Sequence, residues 1–177
     1  LISRLTLAGA DPFRAGQDLS LLAGLMLPLV IWLLGRQLTA DPLVPPLAAL
    51  IAAGSPLLVD KSVSTLVESL FALAIALAFL AAAWRMRTAE RARRPLVLDL
   101  LTGVLFGACY LLRAQSLLAV PAVIVLLARG RRAPRVLLAG AVASAGAMLA
   151  LVPLIVRNLR VFHVPFYSHV AAFGVER

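Results

Sequence analysis

Eight polar residues stand apart in this chain because they border long apolar runs: Asp60, Lys61, Glu68, Arg113, Gln115, Arg157, Asn158 and Arg160. Charges at such depth are costly, and they ordinarily face a cavity or a partner. Arg113 and Arg157 each carry a planar guanidinium fork that matches the oxygens of a phosphate. With Lys61 they form the candidate set for gripping a lipid-linked phosphate. Glu68, Gln115 and Asn158 are the candidates for orienting the rest of a substrate. Each also has a plain structural reading. Glu68 completes a capping box with Thr65 and complements the positive end of a helix. Arg113 suits a snorkelling cation at a tight turn, and Arg157 a cation at a helix C-terminus.

Other chemistry is thinly represented. The lone Cys109 excludes a disulfide framework. One Cys and two His, His163 and His169, do not make a zinc-ligand cluster of the usual spacing. No Ser-His-Asp spacing, phosphate loop or dinucleotide fingerprint stands out. Asp11, Asp18 and Asp41 read as loop or cap residues. No cofactor and no metal is expected.

The elements that must position these residues are membrane helices. Of the 177 residues, 62% are hydrophobic and 14% charged, and the mean hydropathy is +0.99. A soluble domain is about 45–50% apolar and about 25% charged. Disorder requires the opposite departure. Six apolar segments can be drawn, over residues 19–35, 43–59, 64–84, 96–112, 114–128 and 136–156. Spanning helices want about 17–25 such residues, so the fifth is short. The expected fold is an all-α, polytopic helix bundle with about six spanning segments in a single transmembrane domain. Pro45 and Pro46 suit a first helical turn, Pro56 a kink or stop, and Pro95 a helix start. Ser62 and Ser64 are candidate caps for the third helix. Gly103 and Gly107 form a GxxxG pair that allows close helix approach, and Gly140, Ala143, Ser144 and Ala147 offer a second small face.

Charge distribution orients the bundle. Arg85, Arg87, Arg91, Arg93 and Arg94 form one cluster, and Arg129, Arg131, Arg132 and Arg135 another. With Arg36 they would occupy the same side, which the positive-inside rule assigns to the cytoplasm. Residues 1–18 then read as the end of an extracytoplasmic loop, and residues 157–177 as the start of another extracytoplasmic segment. The net charge of +9 thus reflects membrane topology, and no nucleic-acid partner is expected.

Several of these features, in this order, resemble the GT-C glycosyltransferases that use a polyprenyl- or dolichyl-phosphate sugar. The closest likeness is to family 39-type protein mannosyltransferases and the aminoarabinose-transferase-like group. The residues that carry it are Gly35-Arg36-Gln37-Leu38, Ser55-Pro56, Glu68-Ser69-Leu70, Gly103 to Gly107, Tyr110-Leu111-Leu112-Arg113, Val152 to Asn158, and Pro165-Phe166-Tyr167-Ser168. Leu112 stands where the family usually has Thr. The resemblance implies sugar transfer from a polyprenyl-phosphate donor to a glycan, lipid or protein acceptor on the extracytoplasmic side of a cell membrane, expected to be a bacterial inner membrane. It implies that Arg113 and Arg157 hold the phosphate. It also places the general base in a loop expected upstream of Leu1, so the chain reads as a fragment of a longer protein. The competing reading is a transporter or lipid flippase that grips an anion with the same cations.

Overall fold

The computed structural model describes residues 11–63, 67–88, 95–128 and 133–164. Helix α1 spans Pro12–Leu38. Asp11 starts it, accepting from the Phe13 N–H at 3.0 Å with Pro12 in the first turn. Asp11 is therefore a cap, as its type suggested. The helix begins at residue 12 rather than 19, because this cap and the proline nucleate it ahead of the apolar run. Residues 12–18 are accordingly helix and not loop.

Helix α2, Val44–Ala53, has Pro in its first turn, and helix α3 covers Pro56–Val63. The two are bent by 54° at the Gly54–Ser55 break. That is the interruption Pro56 demands, since it can neither donate to the preceding turn nor fit behind it. Helix α4 is Val67–Thr88 and helix α5 is Pro95–Leu112. A 3₁₀ turn over Ala114–Ala119 leads into helix α6, Val120–Ala128. Helix α7 runs from Ala133 to Phe162 and carries Arg157, Asn158 and Arg160 on its last turns. The expected extracytoplasmic segment from residue 157 thus opens as helix.

Among the described residues every element is helical. Three helices are long and apolar enough to cross a membrane, and the bent α2–α3 pair makes a fourth. Leu96–Leu112 and Gln115–Val125 are shorter apolar helices. The expected all-α helix bundle is thus present, with four of the six apolar segments long enough to span among the described residues and the other two forming the shorter apolar helices. The fifth segment falls short because its first residues form a 3₁₀ turn, leaving α6 about 14 Å long at 1.5 Å per residue.

Small residues set the closest packing. A side chain at Gly103 would run into the Ala143 carbonyl oxygen. One at Gly107 would lie 2.6 Å from the Ala147 oxygen, and one at Gly146 would strike the Leu100 oxygen. Both expected small faces therefore meet, with Gly146 added, while Gly140 faces open space. Gly103 beside Ala143 and Gly107 beside Ala147 make α5 and α7 parallel. Leu27 and Val30 of α1 pack on Ala76 of α4. Phe79 and Phe106 meet edge to face at 6.0 Å between α4 and α5.

The charges described lie at helix ends or in the connections between them. At the Arg-rich end, Arg85 and Asp99 form a buried ion pair at 3.1 Å. Arg87 donates to the Gln37 and Thr39 carbonyls at 2.9 and 3.3 Å, satisfying acceptors that α1 leaves open at its C-terminus. Arg91, Arg93, Arg94, Arg129, Arg131 and Arg132 lie outside the described residues.

Candidate functional site

At the opposite end, α5 closes when the Arg113 N–H donates to the Cys109 carbonyl at 2.8 Å. Arg113 is extended, with φ −155° and ψ 125°, before the chain turns into the 3₁₀ segment. Its side chain crosses to the first turn of α4, where Nη2 donates to Glu68 Oε1 at 2.8 Å. The Arg113 side chain is 42% exposed and that of Glu68 is 28% exposed. Glu68 Oε2 is buried and takes no hydrogen bond among the described residues. The carboxylate of Glu68 is thus turned toward Arg113. Ser64 and Thr65, its expected capping partners, lie outside the described residues. Ser62 belongs to α3, where its hydroxyl donates to the Val59 carbonyl at 2.7 Å, and it does not cap α4.

The remaining candidates are not bonded to this pair. Lys61 is half-buried on α3, its ammonium 3.9 Å from Asp60. Its carbonyl accepts from Ser20 at 3.2 Å, and the next turn is held by Gln17 donating to the Val63 carbonyl at 3.0 Å. These bonds place Lys61 beside the N-terminal part of α1. Gln115 is exposed in the 3₁₀ turn. Asn158 is only 2% exposed and points into the bundle, while its neighbour Arg157 is exposed. The parallel contact of α5 with α7 brings their C-terminal ends to the same end of the bundle, so Arg113 and Arg157 share that end. The arrangement is a carboxylate-anchored guanidinium at an end that also carries Arg157.

His163 follows α7 with φ 57°, a left-handed residue at the helix terminus. His169 lies outside the described residues, as do Pro165, Phe166, Tyr167 and Ser168. No group of three or more His, Cys, Asp or Glu gathers among the described residues. Sequence reasoning missed the pairing of Arg85 with Asp99. The available signal was an aspartate inside the apolar run that follows Pro95.

The site spans elements that one family model covers together. The model of the dolichyl-phosphate-mannose-protein mannosyltransferases matches residues 5–157, from before α1 to the last turns of α7. The chain belongs to this family. No curated protein and no solved structure matches it. Family membership makes this a membrane glycosyltransferase sequence of the GT-C type, mannosyltransferase-like, of a family that works with a lipid-linked sugar. The match covers the stretch that contains Glu68 and Arg113.

Proposed function

We propose that these helices hold the phosphate of a polyprenyl-phosphate sugar on the extracytoplasmic side of the membrane, while the sugar passes to an acceptor hydroxyl. The observation that carries this reading is Arg113. Glu68 anchors one edge of its guanidinium, and 42% of the side chain remains exposed. A guanidinium oriented in advance loses little freedom when a phosphate arrives. In transfer, negative charge accumulates on the leaving phosphate. A preset cation at the edge of a low-dielectric site stabilises that charge without reorganising. In this reading Arg157 takes a second phosphate edge, and Lys61 adds a third cation at the same end.

Glu68 has two parts in this reading. Oε1 sets the direction of Arg113, and Oε2, buried and without a hydrogen bond among the described residues, accepts from a substrate hydroxyl once the ligand uncovers it. Gln115 and Asn158 supply neutral hydrogen-bonding groups nearby. A carboxylate must deprotonate the acceptor, and none of the described residues is assigned to that step. The distribution of Arg supports the facing, because Arg36, Arg85, Arg87 and Arg135 lie at the end away from Glu68.

The test is Arg113→Ala in membranes containing the protein, with a polyprenyl-phosphate sugar as donor. Insertion is expected to be intact and transfer to fall by a factor of about 10²–10³. Transfer at the wild-type rate would overturn the assignment.

A further inference from the structure

A cavity with two arginines in its walls lies at the Arg-rich end, far from Glu68 and Arg113. It encloses about 430 Å³, and its walls include Trp32, Arg36, Thr39, Asp41, Pro45 and Arg87. Both cations are held in place. The Arg36 guanidinium lies over the Trp32 ring, 5.1 Å from its centroid, an attraction that fixes its plane and leaves its N–H edges open. Arg87 is tied through Nε and Nη2 to the Gln37 and Thr39 carbonyls, which leaves the other guanidinium nitrogen. Asp41 accepts from the Leu43 N–H at 2.9 Å through Oδ1. Two cations against one carboxylate leave the walls with a net charge of +1. Neither Arg36 nor Arg87 is in an ion pair with Asp41.

The margin of the cavity identifies the ligand class. Leu38, Leu43, Val44 and Leu47 lie beside it and are 51%, 67%, 45% and 54% exposed. A largely apolar pocket that carries two cations, with a tryptophan in its wall and bare aliphatic side chains at its border, has the profile of a membrane interface. A free anion would use only the pocket. A phospholipid would use the pocket for its phosphate and the aliphatic margin for its chains.

We infer that this cavity binds the headgroup of an anionic phospholipid from the leaflet at the Arg-rich end, with the phosphodiester on Arg36 and Arg87. Asp41 accepts from a headgroup hydroxyl, which favours a glycerol headgroup. The inference is independent of the transferase reading, because it concerns the other end of the bundle and is measured without sugar transfer.

The test is native mass spectrometry of the full chain released from mixed phosphatidylglycerol and phosphatidylcholine vesicles. Phosphatidylglycerol is expected to be retained in preference to phosphatidylcholine. Arg36→Gln is expected to lower that retention roughly fivefold, while Arg14→Gln at the opposite end leaves it unchanged. Glycerol phosphate without acyl chains is expected not to displace the lipid. Equal retention of the two lipids, unchanged retention in Arg36→Gln, or displacement by glycerol phosphate would each overturn the inference. A second measurement needs no change at Arg36. In a Trp84→Phe chain, Trp32 is the remaining tryptophan, and brominated phosphatidylglycerol should quench it more than brominated phosphatidylcholine. Equal quenching would also overturn the inference.

Discussion

Arg85 and Asp99 meet at 3.1 Å with side chains only 7% and 2% exposed, and they join α4 to α5 at the Arg-rich end. The same two helices are joined at their other end by Glu68 and Arg113, at 2.8 Å but 28% and 42% exposed. The chemistry is the same and the burial is not. Burial raises the cost of stranding either partner, whereas water screens an exposed pair. The first pair is therefore suited to holding the hairpin, and the second to meeting a ligand.

Asp99→Ala is expected to destabilise the chain by about 3–5 kcal/mol, since it leaves a buried guanidinium without its carboxylate. Thermal unfolding in detergent micelles would measure this. Replacing both residues by Leu should recover much of the loss, because apolar side chains of similar size need no partner.

Arg113→Ala is expected to lower transfer by a factor of about 10²–10³, the usual effect of removing one preset group that stabilises developing charge. Arg113→Lys should restore only part of it, because an ammonium lacks the planar fork. Stability should change little in either variant, given the exposure of the pair. Initial rates with a polyprenyl-phosphate sugar, alongside unfolding temperatures, separate the two effects.

Glu68→Gln keeps an oxygen for Arg113 and removes the charge. Transfer is expected to fall about tenfold, equivalent to about 1.4 kcal/mol. Glu68→Ala should fall further, since it also frees the guanidinium and deletes the buried Oε2 acceptor. Equal rates in Gln and Ala variants would show that the oxygen at this position has no orienting role.

Gly103→Val should separate α5 from α7, because the added side chain meets the Ala143 carbonyl oxygen, which is backbone and has little room to move. A loss of about 1–3 kcal/mol or more is expected. Gly140→Ala, with nothing within 4 Å of the added carbon, should be neutral or slightly stabilising, through the better helix propensity of Ala. Unfolding of the two variants side by side tests whether the GxxxG contact is specific.

Much of this architecture was legible along the chain because its causes are local. Apolar runs must pair their backbone within helices in a bilayer. Pro45, Pro46, Pro56 and Pro95 mark helix starts and a break through their missing N–H groups. Gly103 and Gly107 announce a close contact. The family likeness drew on the same local features, and the match over residues 5–157 agrees with it. The start of α1 at Pro12 was obscured, because Arg14, Gln17 and Asp18 make its first turns polar.

What the linear sequence left open was which charge meets which. Arg85 reads as one of a cluster of topological arginines, yet it is buried against Asp99. Glu68 reads equally well as a helix cap, and its carboxylate is spent on Arg113, 45 residues away. Arg36 and Arg87, 51 positions apart in number, line one cavity. Such pairings depend on the register between helices. That register is decided where the helix surfaces pack, α1 on α4 at Leu27, Val30 and Ala76, and α4 on α5 at Phe79 and Phe106. Hydropathy along a single strand of sequence carries no record of it, because it arises only when two helix surfaces interlock.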